Sequence, residues 1–232
     1  MNQTDSDYSS VVVMTNVSRS FDDVKSSRAV LDNVDFKACS GNLVAITGPS
    51  GSGKSTFLHL LGGIDIPDHG RILVKDTDMT CLNETGRTLF RRKNIGLVFQ
   101  FFNLIPTLNV IENLRLPLEL CSLKSDDSVI FPLLERFDLE QQAYSYPDRL
   151  SGGEQQRVAV IRSAIHKPSL ILADEPTGNL DDAQGHVVLD LIRQVSNDGT
   201  CVIMATHSAS ASEYADRHCK ITNGKLHEAT QI

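Results

Sequence analysis

Residues 43–63 read LVAITGPSGSGKSTFLHLLGG. The first five are mostly apolar and do not alternate with polar residues, which is typical of a strand buried on both faces. The next nine, GPSGSGKST, fit the pattern G-x-x-x-x-G-K-S/T, and the following run has the composition of a helix that stops at Gly62 and Gly63. The stretch therefore predicts a strand, a phosphate-binding loop and a helix, in that order.

A loop of this composition is expected to bind the phosphates of a nucleotide. Its glycines let the backbone wrap around a phosphate and aim N–H groups and the positive end of the following helix at it. We expect Lys54 to neutralise β- and γ-phosphate oxygens and the hydroxyl of Ser55 to coordinate Mg²⁺. A chance glycine-rich turn is the alternative, and the flanking strand and helix disfavour it. The predicted nucleotide-binding residues here are Gly48, Pro49, Ser50, Gly51, Ser52, Gly53, Lys54, Ser55 and Thr56.

A second acidic element lies at residues 170–176, which read LILADEP. It is an apolar strand that ends in two adjacent carboxylates, Asp174 and Glu175. Burying charges without compensation is costly, so carboxylates at the end of a strand usually face a cation. Beside the phosphate-binding loop, we expect Asp174 to hold Mg²⁺ through its water shell and Glu175 to orient or deprotonate the water that attacks the γ-phosphate. Without that loop, both would simply cap a turn.

Residues 150–165 read LSGGEQQRVAVIRSAI and begin with a helix-capping signal. Ser151 and Glu154 have the S-x-x-E spacing of a capping box. Gly152 and Gly153 are poor first-turn residues by propensity, but backbone without side chains beside a helix N-terminus can hold a phosphate. The chain thus has two half-sites for one kind of ligand. If they cannot meet within one molecule, they could meet across a two-fold dimer with two identical composite sites.

The rest of the chain indicates an α/β fold. Residues 11–17 and 30–38 are rich in β-forming residues and predict strands of an antiparallel sheet. Helical patterns separate several further strands, which indicates a largely parallel core. These further strands are 71–75, 95–99, 169–173 and 201–206.

Residues 101–149 lose the β-signal. Apolar residues recur there at helical spacing, which predicts a small helical subdomain inserted into the α/β core. One of its apolar faces could dock a partner, although plain core packing is the commoner role. The predicted organisation is a disordered tail at residues 1–10 and a single domain at 11–232, whose core comprises 11–100 and 150–232.

Composition disfavours several classes of protein. With 41% hydrophobic and 22% charged residues, the 232-residue chain has the composition of an ordinary globular protein. Every apolar run is shorter than the roughly 18 residues of a membrane span, and the polar first ten residues lack a secretory signal, so we expect a cytoplasmic protein. The net charge of −7 opposes binding to nucleic acid or anionic lipid, so membrane association is expected to run through a protein.

Two further features are assigned no chemistry. Five cysteines are scattered without a C-x-x-C pair or a histidine at metal-ligand spacing, and we expect reduced, mostly buried thiols. A short basic run, Arg91, Arg92 and Lys93, is most often a solvated face or helix end.

The LSGGE segment, together with the phosphate-binding loop and LILADE, resembles the signature set of ATP-binding cassette proteins. The resemblance extends from about Val11 to Glu228. It implies binding of ATP and Mg²⁺, hydrolysis of ATP, and head-to-tail closure with a second copy of the chain. It also implies that Ser151 and Gly153 contact the γ-phosphate bound by the opposite subunit. The nucleotide-binding residues implied in this segment are Ser151, Gly152, Gly153 and Glu154.

The same resemblance implies roles for residues outside these segments. Phe21 resembles the aromatic residue that stacks on adenine, although many members of the family have tyrosine there. Gln100 resembles the glutamine that reaches Mg²⁺ and the attacking water and signals to the membrane domain. The loop from Asn179 to Asp181 resembles the one that couples the two sites across the dimer. His207 resembles the switch histidine that hydrogen-bonds the γ-phosphate.

A finer resemblance concerns the segments FQFFNLIPTLNVIENLRLPLEL and ADEPTGNLD. They are similar to the bacterial subfamily that serves lipoprotein release, macrolide efflux, antimicrobial-peptide resistance and cell division. This implies a separate integral-membrane permease with a large extracytoplasmic domain, and a peripheral location at the cytoplasmic face of the bacterial inner membrane. No catalytic position of the motif set is missing, so an active ATPase is expected.

Two alternatives remain. A cassette ATPase acting on DNA or ribosomes usually has long coiled coils, zinc modules or paired cassettes, none of which the sequence indicates, and the acidic charge disfavours nucleic acid as a partner. A phosphate-loop kinase is disfavoured by the LSGGE element.

Overall fold

The computed structural model describes residues 10–23 and 26–229, in which the chain forms ten strands and seven α-helices. The strands are β1 (Ser10–Asp23), β2 (Ser26–Cys39), β3 (Leu43–Thr47), β4 (His69–Val74), β5 (Thr77–Asp78), β6 (Ile95–Phe99), β7 (Leu170–Asp174), β8 (Cys201–Ala205), β9 (Arg217–Thr222) and β10 (Lys225–Ala229). The helices are α1 (Lys54–Leu61), α2 (Glu84–Asn94), α3 (Val110–Leu120), α4 (Asp127–Arg136), α5 (Gly152–Ala164), α6 (Asp182–Asn197) and α7 (Ala209–Glu213). None of these helices combines the length and the apolar character needed to cross a membrane.

Six strands form the central sheet, in the order β10-β9-β3-β8-β7-β6. All neighbouring strands in it are parallel except β10, which forms an antiparallel hairpin with β9. The register places Asp174 beside both Phe99 and Ala205, and Ile46 beside Ala205, at the carboxyl edge of the sheet. The segments that follow β3, β6, β7 and β8 therefore begin next to one another, where ligands of open α/β sheets bind.

Helices and a second sheet cover the two faces of the central sheet. The second sheet is antiparallel, in the order β2-β1-β4-β5, and packs with α1 on one face. Within that layer Phe57 of α1 is fully buried, and its ring meets Phe36 of β2 edge-on at a centroid distance of 5.2 Å. The apolar faces of α3, α4, α5 and α6 form a second core on the opposite face.

A buried amide orders the loop that leads into α3. Asn113 is completely buried, and its Nδ2 donates to the carbonyl oxygens of Ile105, Leu108 and Asn109 at 2.9–3.1 Å. Its Oδ1 accepts from the N–H of Ile105 at 2.9 Å. Since these loop carbonyls lie outside regular structure, a fully bonded side chain satisfies them and holds the loop in one conformation.

The predicted fold class is confirmed: an α/β core with an N-terminal antiparallel sheet and inserted helices. Each predicted strand corresponds to an observed strand, but β1 continues six residues past the predicted end at 17 and β2 begins four residues before the predicted start at 30. Helices α3 and α4 account for the helical signal in 101–149. The strands β5, β9 and β10 were not predicted, because short or charge-alternating segments become strands only through their partners.

The domain boundaries at 100 and 150 remain a prediction. Residues 1–9 of the expected tail lie outside the described residues. Ser10, the last residue of that tail, instead belongs to β1 and pairs with Cys39 of β2.

The cysteine prediction is partly wrong. All five are free, but only Cys201 and Cys219 are buried. Burial raises the pKa of the Cys201 thiol to about 12 and that of Cys219 to about 11, so both stay protonated at neutral pH. The other three, Cys39, Cys81 and Cys121, contact solvent, because they lie at the ends of elements and not in the central strands.

A glycine sets the distance between α5 and β6. A Cβ atom on Gly96 would lie 2.2 Å from the carbonyl oxygen of Ser163 in α5, and 3.0 Å from a side-chain carbon of Ile171 in β7. The obstacle is helix backbone, which cannot rotate away. The helix that begins with LSGGE is therefore seated directly on the strand that leads to Gln100.

We predict that Gly96→Ala lowers the free energy of unfolding by about 2 kcal/mol, because the α5 backbone must retreat from β6. Urea unfolding followed by circular dichroism measures the change. Gly185→Ala in α6 is the matched control, since a Cβ there meets Thr177 at an ordinary 3.7 Å and alanine favours a helix. Equal stability of the two variants would contradict the close approach.

Candidate active site

A cleft of about 970 Å³ lies at the carboxyl edge of the central sheet. The predicted site residues that line it are Phe21, Ser50, Gly51, Gly53, Lys54, Ser55, Thr56, Gln100, Asp174, Glu175, Asp181 and His207. The predicted residues outside its lining are Gly48, Pro49, Ser52, Ser151, Gly152, Gly153, Glu154 and Asn179. The structure thus brings the phosphate-binding loop and the predicted catalytic residues together, whereas the LSGGE segment is not part of the lining of this cleft.

The N-terminus of α1 opens onto this cleft without a side-chain cap. Gly53 occupies the N-cap in a left-handed conformation, and a Cβ on it would lie 2.9 Å from Val30. Each of the other six α-helices of the described residues is capped by an Asn, Asp or Ser side chain. An uncapped first turn at the positive end of the helix dipole is suited to an anion.

The ammonium group of Lys54 is buried inside the loop. The residue is only 6% exposed, and its Nζ donates to the carbonyl oxygens of Gly48 at 3.0 Å and Pro49 at 3.3 Å. The same Nζ lies 3.0 Å from Nε2 of His207. Burial lowers the pKa of Lys54, and the carboxylates of Glu175 and Asp174 oppose that shift. A phosphate arriving at the loop would stabilise the charged amine.

Glu175 has a carboxylate oxygen that is buried without a hydrogen-bond partner among the described residues. Its other oxygen, Oε2, accepts from the backbone N–H of His207 at 3.2 Å. Oε1 lies 3.3 Å from Nε2 of His207, but that nitrogen accepts from Lys54 when the lysine is protonated and has no proton to donate. Oε1 is therefore positioned to accept a hydrogen bond from a molecule in the cleft.

The backbone at Glu175 is held in an unusual conformation. Its φ is +48°, a left-handed value that is uncommon outside glycine and clusters at functional sites. The N–H of Glu175 donates to the carbonyl oxygen of Ala205 at 2.9 Å, which extends the pairing of β7 with β8 by one residue. The turn directs the carboxylate across the end of β8 toward His207.

Gln100 and Asn179 join the loops after β6 and β7. Nε2 of Gln100 donates to Oδ1 of Asn179 at 3.1 Å, and Nδ2 of Asn179 donates to the carbonyl oxygen of Gln100 at 2.9 Å. Asp181 caps α6 by accepting from the N–H of Gln184 at 2.8 Å. The loop from Asn179 to Asp181 is thus bonded to Gln100 at one end and to α6 at the other.

The predicted capping box at the start of α5 is confirmed. The hydroxyl of Ser151 accepts from the N–H of Glu154 at 3.3 Å, and the carboxylate of Glu154 accepts from the N–H of Ser151 at 2.7 Å. A Cβ on Gly153 would lie 2.6 Å from Oε1 of Gln184, so this turn packs tightly against α6. Ser151 remains exposed to solvent.

Two side chains of α5 that the sequence analysis missed also organise the site. Gln156 is completely buried, and its Nε2 donates to the carbonyl oxygens of Pro176 at 2.6 Å and Phe99 at 3.3 Å. Arg162 donates to the carbonyl oxygen of Asn103 at 2.7 Å, and burial lowers the pKa of its guanidinium. No signal in the sequence distinguishes Gln156 and Arg162 from Gln155 and Arg157, which lie in the same helix.

The cleft offers oxygen donors that suit Mg²⁺. Ser55 supplies a hydroxyl, Asp174 a carboxylate, and Gln100 an amide whose nitrogen is already bonded to Asn179. Magnesium usually keeps several waters and binds through one or two carboxylates together with substrate phosphates. The described residues contain no group of three or more His, Cys, Asp and Glu side chains placed to hold a metal by themselves. The donor set therefore fits an ion that binds together with a nucleotide.

At the carboxyl edge of the parallel sheet, an uncapped helix end and a buried lysine lie beside two carboxylates. This arrangement defines a phosphate-loop nucleotide-binding protein. Residues 31–178 match the ABC transporter family. The chain belongs to this family and is one of its ATP-binding ATPase subunits.

Known proteins that are similar to this chain indicate the subfamily to which it belongs. An uncharacterized ABC transporter ATP-binding protein of Mycobacterium tuberculosis is 46% identical over 219 residues, which cover 93% of this chain and 88% of the relative. The lipoprotein-releasing system ATP-binding protein LolD of Hyphomonas neptunium is 40% identical over 93% of this chain and 96% of its own. The dimeric, post-hydrolysis ATP-binding cassette MJ0796 bound to ADP and Pi has a TM-score of 0.84 at 33% identity, covering 95% of this chain and 100% of the cassette. The resemblance to the lipoprotein-release subfamily is confirmed.

We predict that Gln156→Met lowers the free energy of unfolding by about 2 kcal/mol, because the buried carbonyl oxygen of Pro176 loses its side-chain donor and the partly buried carbonyl oxygen of Phe99 loses one of its donors. The same variant should lower the turnover number, since the ends of β6 and β7 lose their common anchor. Gln141→Met at an exposed position is the control and should change the unfolding energy by less than about 0.5 kcal/mol. Chemical denaturation and phosphate release measure the two effects. Unchanged stability of Gln156→Met would refute the anchoring role.

Proposed function

We propose that the chain hydrolyses MgATP at a site completed by a second copy of itself and thereby drives a separate membrane permease. The observation that carries the proposal is the separation of the two phosphate-binding elements. The end of α1 opens onto the cleft, whereas residues 151–154 do not line it. Because residues 151–154 do not line the cleft of their own copy, we assign their contact with the ligand to a second copy.

In a two-fold symmetric dimer, a single interface would bring residues 151–154 of each copy to the cleft of the other. An isologous arrangement places the same pair of surfaces together at both sites, so two identical composite sites form at once. The exposed Ser151 and the glycines after it would then reach the γ-phosphate held by the partner's loop. The dimeric state of the similar cassette MJ0796 supports this arrangement.

The charges in the cleft favour joint binding of ATP and a divalent cation. Asp174, Glu175, Asp181 and Asp182 all line it, and they would repel the nucleotide phosphates. Ser55, Gln100 and Asp174 would hold Mg²⁺, which when bound offsets the charge on the β- and γ-phosphate oxygens. Lys54 would exchange its two loop carbonyls for phosphate oxygens, a stronger charge-assisted pairing.

Hydrolysis follows from the geometry around Glu175. A water molecule that donates to the unpartnered Oε1 is oriented for attack on the γ-phosphorus. As the new P–O bond forms, the bond to the bridging oxygen of ADP breaks, and the carboxylate accepts the water proton. The backbone N–H of His207 already donates to Glu175, and its Nε2 lies 3.0 Å from Nζ of Lys54, so the side chain can exchange its contact with Lys54 for one with the γ-phosphate when the nucleotide binds.

Phe21 supplies a stacking surface for the adenine. Its side chain is 44% exposed and lines the same cleft as the phosphate-binding loop. An exposed aromatic ring at the rim of a nucleotide site gains energy by stacking on a base.

A permease would dock beside Gln100. Large apolar side chains are exposed on α2, after Gln100 and at the end of α3: Leu89, Phe101, Leu120 and Leu123. The ends of α2 and α3 are in contact, because the thiol of Cys121 donates to the carbonyl oxygen of Arg92. A partner that contacts Phe101 would touch a residue that lines the cleft and directly follows Gln100 in the chain.

The subfamily implies what kind of permease this is. The similarity to LolD supports a multi-span partner with a large extracytoplasmic domain and a peripheral position of this chain at the cytoplasmic face of the bacterial inner membrane. A soluble cassette that acts on DNA or ribosomes is the alternative class, and the net charge of −7 disfavours it.

We predict that Glu175→Gln lowers the turnover number by about 100-fold or more, because the amide cannot accept the water proton. The variant should still bind MgATP and should elute as a dimer with it in size-exclusion chromatography. Lys54→Ala is the contrasting variant, for which nucleotide binding itself should be weakened. Retained hydrolysis in Glu175→Gln would eliminate Glu175 as the base, and normal ATP affinity in Lys54→Ala would contradict the loop assignment.

The permease is tested by affinity purification. Tagged Glu175→Gln, incubated with MgATP and detergent-solubilised native membranes, should recover a multi-span protein with a large external domain, identified by mass spectrometry. Adding Leu120→Asp and Leu123→Asp should reduce that recovery without loss of ATP binding, because only the apolar surface changes. Recovery of soluble or nucleic-acid-bound partners alone would favour the alternative class.

A further inference from the structure

Arg19 in β1 is the centre of an ion-pair cluster with the loop that follows α1. Its Nε and Nη2 donate to the two carboxylate oxygens of Asp65, both at 2.9 Å. Its Nη1 donates to Asp68 at 2.7 Å. The Arg19 side chain is only 23% exposed, so its fork geometry is held by two carboxylates in a partly desolvated setting.

Backbone bonds reinforce the same connection. The N–H of Ser20 donates to the second carboxylate oxygen of Asp68 at 2.7 Å, and the N–H of Asp68 donates to the carbonyl oxygen of Ser18 at 2.9 Å. The hydrogen bond from Ser20, followed by that from Arg19, holds the pKa of Asp68 below its usual value. This end of β1 is therefore fastened to the loop by side chain and backbone together.

The loop in turn belongs to the phosphate-binding helix. The N–H groups of Ile64 and Asp65 both donate to the carbonyl oxygen of His59, in the last turn of α1. The other end of that helix begins at Lys54. Arg19 thus connects β1 to the rigid element that carries the phosphate site.

The guanidinium of Arg19 also covers the ring of Phe21. Its central carbon lies 4.8 Å from the ring centroid, within the range of a cation–π contact. An aromatic ring has two faces, and a cation fixed over one of them leaves the other for a flat ligand. Because the guanidinium is itself held by Asp65 and Asp68, it limits the orientations that the exposed ring of Phe21 can adopt.

We infer that Arg19 is a positioning residue for the nucleobase. It holds Phe21 in the orientation that stacks on the base, and it sets the distance between the base and the phosphates by bonding to the loop behind α1. This inference rests on the proposed role of Phe21 as the stacking residue. Arg71 offers a matched comparison in the same sheet, since it also pairs with an aspartate, Asp78, but none of the cation–π contacts of the described residues involves it.

The experiment compares a ligand that has a base with one that lacks it. Isothermal titration calorimetry gives the affinities for MgATP and for magnesium tripolyphosphate in the wild-type chain and in its variants. Phe21→Ala should weaken MgATP binding roughly tenfold, since stacking on the base is lost. Arg19→Gln should weaken it about threefold, since the ring is retained but no longer held. Neither variant should change tripolyphosphate binding, which needs only the loop.

A double variant separates positioning from general destabilisation. Arg19→Gln combined with Phe21→Ala should bind MgATP as Phe21→Ala alone does, because there is no ring left to position. Arg71→Gln should match the wild type for both ligands. An equal loss for tripolyphosphate in Arg19→Gln, or additive losses in the double variant, would overturn the inference.

The binding data for the wild-type chain and its variants also separate the role of Arg19 from the ATPase assignment. If Phe21→Ala binds MgATP normally while Lys54→Ala does not, the stacking role and the inference fall together but the ATPase assignment stands. If the wild-type chain binds neither ligand, the proposed function itself is wrong.

Discussion

The buried ammonium group of Lys54 is the charge around which the active site is arranged. Loop carbonyls and His207 hold it in place, and the carboxylates of Asp174 and Glu175 offset the cost of its burial. These groups come from the segments after β3, β7 and β8, so the charge can be balanced only when the parallel strands are in register. In the proposed function, a nucleotide would replace the carbonyls with phosphates and change the environment of the groups in contact with the lysine.

Helix α5 connects this charge centre to the rest of the molecule. The close approach at Gly96 seats the helix on β6, and Gln156 bonds to the ends of both β6 and β7. The same helix begins with the LSGGE turn, whose own capping box satisfies its first N–H groups. A movement of this helix would therefore shift the loop of Gln100 and the surface offered to a second copy in one step, which is suitable for a subunit that couples hydrolysis to a partner.

The predictions that succeeded depended on local signals. The phosphate-binding loop, the strand ending in Asp174 and the capping box of Ser151 and Glu154 each lie within a short stretch, where composition and spacing determine backbone conformation. Predictions for isolated residues such as Phe21 and His207 came only from resemblance. Gln156 and Arg162 were missed, because a polar side chain on a helix shows its purpose only when the carbonyl groups that it meets are known.

The sequence by itself determined the strand, loop and helix of residues 43–63, the strand that ends in Asp174 and the capping box of Ser151 and Glu154, because each lies in contiguous residues. These motifs together carried the resemblance to ATP-binding cassette proteins. Only the tertiary structure decided which groups face one another. Within the described part of the chain it left Oε1 of Glu175 without a hydrogen-bond partner, kept the LSGGE turn out of the lining of the cleft, and joined Phe21 through Arg19 to the loop behind α1. Such contacts join residues that are distant in sequence, and they depend on strand order and helix packing that no local pattern encodes.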